Sequence, residues 1–327
     1  MERNYKKGQR VNRKPVIRKT GALFLGMEQT PIVWDGRMLF IESVSDFSRP
    51  NTTEQFYIRA RDYQSGKTYP AFGHGYPFAS AYAENGVAYV FCTSLRDDRP
   101  LTMYQVEDSS QWHDPRGGPS VMMFWSSDLE HWQSHEILNV PGWRMWNTSV
   151  CKGERGYVMA IELGGEGTRE IAGQGFTSFF AQSDDLMHWR MMGDDCCYTR
   201  ERYNACPALR YTDGWYYMIC TEALPTVRYA PYIYRTRDFR DWEVSVHNPM
   251  MMFGDEDRAP HTLSHFTPEE MDLLETGINI NNSDVDLCEF EGKTYLYYAT
   301  GDQMTYSFLC EAVYDGPLDK LLKGFFA

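Results

Sequence analysis

Five stretches of this chain repeat one arrangement of polar and apolar positions: a short extended segment, a tight turn ending in glycine, then a strongly apolar or aromatic run. They cover residues 30–43, 79–93, 148–162, 206–222 and 284–300, with turn glycines at Gly36, Gly86, Gly156, Gly214 and Gly292. Asp-Gly and Asn-Gly between such runs favour hairpins, because glycine takes φ > 0 without a Cβ clash. Five hairpins are therefore expected, and recurrence of one unit along a chain is the mark of a repeat architecture.

A second element follows three of the hairpins. Asp128, Asp185 and Asp238 each stand four residues before a tryptophan (Trp132, Trp189, Trp242), at successive spacings of 57 and 53 residues. Each copy follows an apolar run, at 121–125, 178–182 and 232–236. The unit reads as a strand, a turn held by an Asp side chain, and an aromatic opening the next strand. A hairpin plus this strand-turn-strand makes a four-stranded antiparallel sheet. Dividing 327 residues by five leaves about 65 per unit, which suits four short strands and variable loops. The expected fold is all-β: a five-bladed β-propeller of four-stranded antiparallel sheets. The Asp and Trp residues of the turns are structural in this reading, serving turn amides and packing between blades.

Two segments interrupt the rhythm. Residues 95–120, rich in Asp, Arg, Pro and Gly, form an insertion in the second blade, and residues 245–280 separate the fourth blade from the fifth. Within the latter, Thr267-Pro268-Glu269-Glu270 is a helix start, with Thr at the N-cap and Glu three residues on. The stretch 318–326 is expected to close the chain as an amphipathic turn or helix. Residues 1–20 form a basic arm and 21–327 a single propeller.

Composition supports a large core: 43% of residues are apolar and 15% aromatic, and aromatics favour strands. No apolar run approaches the roughly 18 residues of a membrane span, and no signal-peptide pattern is present. The expectation is a cytoplasmic protein, or an exported one whose signal has been removed. Residues 1–19 carry eight Lys/Arg and one Glu, whereas the rest carries 24 basic and 44 acidic side chains. An acidic body argues against nucleic acid as partner. The arm is expected to pack on that body or on a neighbouring subunit, which makes an oligomer possible. The eight cysteines lack zinc spacing, and several sit in apolar runs, so they read as reduced thiols. No metal site and no cofactor is expected.

The Asp-Leu/Phe-x-x-Trp turns and Asp-Gly hairpins resemble the five-bladed glycoside hydrolases of families 43 and 32 and their relatives, from about residue 26 to 314. The resemblance implies three carboxylates on the innermost strands at the mouth of the central channel: an Asp base in the first blade, an Asp that tunes the acid, and a Glu acid before Cys-Pro or Gly-Pro. Carried over residue by residue, the base position holds Glu28, eight residues before Gly36. The third-blade position holds Asn147. The acid position, before Cys206-Pro207, holds Ala205. Two of the three charges are thus absent.

Other carboxylates are candidates for the missing acid. Asp284 stands eight residues before Gly292, as Glu28 does before Gly36, and Asp286 follows it two residues on. In a closed ring the first and fifth blades are neighbours, so Glu28 and the Asp284/Asp286 pair should face one another. Adjacent carboxylates raise each other's pKa, which keeps one protonated as glycoside hydrolysis requires. Strand alternation would put Asp284 and Asp286 on one face. Glu162 and Glu222 sit in apolar runs where an ionised side chain is costly, so each belongs to the site or to a salt bridge. His74, Trp146, Asn147, Asn204 and Asn282 precede inner strands and are candidate sugar-binding residues at the same rim.

The expected function is that of a glycoside hydrolase acting on an oligosaccharide by carboxylate acid/base catalysis at the channel mouth. The alternative is a non-catalytic glycan-binding propeller with a degenerate active site, which Ala205 favours. A phosphorylase of the same fold would need a cluster of basic side chains, and Arg144 and Arg202 alone do not make one.

Overall fold

The computed structural model describes residues 13–102, 113–165, 168, 173, 175–226, 228–302 and 305–326. Nineteen strands are arranged in five antiparallel sheets, each running outward from a central axis. The first blade contains β2 (Gln29–Trp34), β3 (Arg37–Ser45) and β4 (Phe56–Asp62). The second contains β5 (Ser80–Glu84), β6 (Val87–Thr93), β7 (Ser120–Ser126) and β8 (Gln133–Asn139). The third contains β9 (Met145–Gly153), β10 (Gly156–Leu163), β11 (Thr177–Ser183) and β12 (Trp189–Met191). The fourth contains β13 (Asn204–Thr212), β14 (Trp215–Leu224), β15 (Arg228–Thr236) and β16 (Trp242–Val244). The fifth contains β17 (Ser283–Phe290), β18 (Lys293–Gly301) and β19 (Ser307–Tyr314), and its outer strand is β1 (Arg18–Leu25).

The inner strands β2, β5, β9, β13 and β17 touch one another in a closed ring. Closure comes from β1, which pairs with β19 through Ala22 and Cys310 among others. The end of the expected basic arm is thus a strand of the propeller, and Lys19 is tied at 2.8 Å to the buried Asp257. Residues 1–12 of that arm lie outside the described residues. The first blade departs from the four-stranded plan. Its fourth position is reduced to two bridges, Ile58 to Phe72 and Arg61 to Thr68.

Four hairpins carry the expected turn. Asp35-Gly36, Asn85-Gly86, Asp213-Gly214 and Glu291-Gly292 all have positive φ at both residues, the twist that suits the flanking strands. In the third blade the turn falls one residue earlier, on Glu154-Arg155, and Gly156 follows it at φ +104°.

The core is divided among the blade interfaces. Apolar clusters join the first and second blades (Ile41, Val90), the second and third (Phe91, Met159), the third and fourth (Phe180, Met218), the fourth and fifth (Ile219, Leu296), and the fifth and first (Tyr297, Phe40). The three turn tryptophans each pack against an aromatic ring of the preceding blade. Trp132 stacks on Phe72 at 3.7 Å, Trp189 meets Phe91 at 6.3 Å, and Trp242 lies 5.8 Å from Phe180. The Asp residues before them accept main-chain N–H groups, as Asp128 does from Glu130 at 2.9 Å and His131 at 2.8 Å. The helix Pro268–Thr276 begins at Thr267 with the reciprocal cap between Thr267 and Glu270, and a second helix spans Leu318–Gly324. Among the described residues no helix is long and apolar enough to cross a membrane. All eight cysteines are free thiols.

Candidate active site

Residues at the start of all five inner strands meet on the propeller axis. Glu28, Gln29, Ser80, Asn147, Cys206, Pro207, Asp284 and Asp286 are among those that bound a narrow throat of about 40 Å³. Above it, on one face of the disc, opens a cavity of about 620 Å³, the size range of small-molecule sites. Glu28, Asn147, Cys206 and Asp284 belong to both walls, so they sit where the cavity narrows into the throat.

The backbone aims these side chains. Glu28, Cys206 and Asp284 all adopt left-handed φ values, +57°, +53° and +53°. A β-bulge follows in the fourth blade between Ala205 and Ala208 and in the fifth between Ser283 and Asp286. Bulges re-aim side chains next to sites, and non-glycine residues with positive φ are costly enough to point to function. The bulge also overturns simple alternation. Asp284 lines the open cavity, whereas Asp286 faces only the throat, where it is bound by Arg210 from the fourth blade and by its neighbour's N–H (Leu287) at 2.8 Å.

Glu28 and Asp284 are within electrostatic reach of each other. Burial, and then the Asp284 charge, push the Glu28 carboxyl up to about 8. Asp284 has donors suited to a carboxylate: the Ser283 hydroxyl and the Cys206 thiol. Glu162, at the end of β10, reaches in from the third blade. Its Oε2 accepts the Cys206 main-chain N–H at 2.8 Å and the Asn147 amide at 2.9 Å. Burial raises the Glu162 carboxyl to about 7, partly offset by those two bonds. Burial and the surrounding carboxylates hold the Cys206 thiol well above its ordinary value. Among the described residues no group of three or more His, Cys, Asp or Glu side chains is arranged to hold a metal ion.

The cavity wall is aromatic on one side. Phe78, Trp146, Phe176 and Tyr203 run in sequence at centroid distances of 5.4, 5.4 and 5.6 Å. Arg116, from the insertion at 95–120, lies 5.2 Å over Phe78. Glu270 of the helix Pro268–Thr276 also borders the cavity.

The fold of the described residues is matched by solved structures. An α-L-arabinofuranosidase from Podospora anserina, solved in complex with cellotriose, superposes with a TM-score of 0.58 at 9% identity over 93% of this chain and 98% of that one. The fold is that of the five-bladed glycoside hydrolases. A family 43 protein from Bacillus licheniformis is similar with a TM-score of 0.53 and 13% identity, over 89% of this chain and 53% of that one. A family 32 β-fructofuranosidase from Bombyx mori gives 0.52 and 11%, over 90% and 61%. No protein-family model and no curated protein matches the sequence.

In this glycoside-hydrolase-like propeller, Glu28, Asp284, Glu162, Asn147 and Trp146 come together on the cavity wall. The other candidates do not. His74 is exposed, with its ring 5.9 Å from Tyr57. Asn204 is fully buried beside Tyr234. Asn282 is buried in a network with Asp257 and Lys19, each at 3.0 Å. Glu222 is bound by the Tyr234 hydroxyl and lies 3.2 Å from Arg202, outside the cavity wall. Asn204 and Asn282 precede or open inner strands as the others do, but the bulges of the fourth and fifth blades decide which residue turns inward. Sequence reasoning passed over Cys206 as a lining residue and missed Arg59, Arg61 and Arg116. The alternating arginines of β4, opposite Glu42, were the available signal for the first pair.

Proposed function

We propose that this protein is a glycoside hydrolase whose acid/base pair is Glu28 and Asp284. The observation that carries the reading is that these two carboxyls share the cavity floor from neighbouring blades, where burial and the Asp284 charge raise Glu28 to about 8. At neutral pH Glu28 is protonated and able to donate to a leaving glycosidic oxygen. Asp284, bonded by the Ser283 hydroxyl and the Cys206 thiol, is the acceptor that takes a proton from water or attacks the anomeric carbon. Glycoside hydrolysis needs one carboxyl in each state. Glu162 contributes to the field that keeps Glu28 protonated. Asp286, held by Arg210, braces the throat.

The likeness in fold to glycan-cleaving enzymes supports the substrate class, and the aromatic wall suits the apolar face of a sugar. One observation favours a non-catalytic, glycan-binding propeller instead: Ala205 stands where a related acid would be, and it is fully buried. A screen of aryl-glycosides and oligosaccharides with wild type, Glu28→Gln and Asp284→Asn separates the two. Cleavage by wild type that both variants lose supports the pair. Cleavage unchanged in both removes it, and binding without cleavage establishes the glycan-binding protein.

A further inference from the structure

The cavity wall carries a second polar device, on the first blade, that acid/base chemistry does not use. Glu42 on β3 is 2% exposed and receives two arginines from β4. Arg59 and Arg61 stand two residues apart, so they share a face of the strand. Arg59 gives Glu42 its Nε. Arg61 gives its Nε and, at 3.3 Å, one terminal nitrogen. Both terminal nitrogens of Arg59 and one of Arg61 have no protein partner among the described residues. Their side chains keep 30% and 28% exposure, and both line the 620 Å³ cavity. One buried carboxylate under two guanidinium groups leaves one positive charge in excess. The shared anchor fixes the two groups side by side with their unspent donors on the cavity side.

We propose that Arg59 and Arg61 form a subsite for the carboxylate of an acidic sugar, so that the glycan accepted carries a uronic acid beside the cleaved bond. This rests on the glycosidase reading for what happens at Glu28, though not for the binding itself. Guanidinium donors match a planar carboxylate, and charge-assisted bonds of this kind are the strong ones. The net charge of the triad suits a monoanion. A phosphate dianion would carry one charge more than the triad offsets and would meet Glu270 and Asp284 around the same cavity. The wall beside the arginines is apolar: Phe24 lies 5.2 Å under Arg61, and Leu25 and Phe47 line the cavity while 46% and 40% exposed. That surface fits the body of a pyranose ring. Register places Gln29 opposite Glu42 and Glu42 opposite Arg59. Arg59 is therefore two strands, about 10 Å, from the strand that follows Glu28, which puts the subsite next to the acid and not on it. The body of the protein is acidic, so a local cationic pair is what an anionic glycan would need.

The test is calorimetric titration with oligogalacturonate, glucuronoxylan fragments and hyaluronan fragments, each against its carboxyl-reduced neutral counterpart, and with inorganic phosphate. At least one acidic oligosaccharide should bind wild type about tenfold or more tightly than its reduced form, with the preference shrinking at high salt. Arg59→Met, which leaves Arg61 on Glu42, should abolish the preference, and Arg59→Lys should restore part of it. Thermal unfolding of both variants confirms that they are folded. The subsite is overturned if no acidic form is preferred, if the preference survives Arg59→Met, or if only phosphate binds in an Arg59-dependent way. Glu28→Gln keeps the two claims apart. An acidic glycan that binds wild type and Glu28→Gln alike but is never cleaved defeats the glycosidase reading and leaves the subsite standing. Cleavage of neutral glycans with no acidic preference does the reverse.

Discussion

The main-chain N–H of Cys206 donates to the Glu162 carboxylate at 2.8 Å, joining the inner strand of the fourth blade to the second strand of the third. Position 205, one residue before it on the same strand, is a buried alanine. The left-handed turn at Cys206 brings Glu162 against the neighbouring N–H. A carboxyl of the third blade thus reaches the seam with the fourth. Its elevated value, about 7, follows from burial that two hydrogen bonds only partly offset.

Removing either carboxyl of the proposed pair should cost turnover without loss of fold. Glu28→Gln and Asp284→Asn are each expected to lower kcat by roughly 10²–10⁴, the usual worth of acid–base assistance. Asp286→Asn should behave differently, because it strips Arg210 of its carboxylate partner. It is expected to lower the melting temperature while the folded fraction loses far less turnover than Asp284→Asn does. Steady-state kinetics alongside thermal unfolding distinguishes them, and equal kinetic losses for the two Asp variants would refute this division.

The alkaline limb of the rate should report Glu28. Activity requires its protonated form and should fall as pH rises through about 8. Glu162 adds to the field that raises that value, so Glu162→Gln should move the limb to lower pH. A pH–rate profile of kcat/KM measures this, and a limb that stays put or moves up would contradict the coupling.

Stability should carry the same signature with the opposite benefit. The folded value of Glu28, about 8, lies above its ordinary 4.5, so the folded state binds more protons than the unfolded one between those limits. The stability it contributes is fully present below about 4.5 and is lost as pH rises through about 8. Glu28→Gln should therefore be close to neutral at pH 4 and stabilising at pH 9, by roughly 1–3 kcal/mol. Denaturant melts at the two pH values are the check, with a pH-independent difference as the adverse result.

The turn aspartates should matter to folding alone. Asp128, Asp185 and Asp238 accept main-chain N–H groups in their turns, and each turn presents a tryptophan to the preceding blade. Replacing any one by alanine should lower the melting temperature by a few degrees and leave the specific activity of the folded fraction unchanged. Lost turnover at undiminished melting temperature would assign these residues a different part.

Much of the architecture was written locally. Hairpins at Asp35-Gly36, Asn85-Gly86, Asp213-Gly214 and Glu291-Gly292, and the spacing of Trp132, Trp189 and Trp242, depend on near neighbours in the chain, so five blades could be counted from residues alone. The blade that closes the ring could not. The partner of β1 is β19, almost three hundred residues away, and nothing near Ala22 names Cys310. The site divides along the same line. The equal offsets of Glu28 and Asp284 from their turn glycines placed both at the channel mouth, since equivalent strand positions stay equivalent under the propeller's rotation. Which neighbours join them depended on two bulges and on contacts between blades. Those contacts turned Asp286 toward Arg210, buried Asn204 and Asn282, and brought Glu162 to Cys206. A bulge shifts side-chain direction by one residue, and a two-residue alternation has no means of announcing it. The arginine pair above Glu42 shows the boundary most plainly. Its residues and their alternation are in the sequence, but the burial that fixes Glu42 beneath them belongs to the tertiary fold.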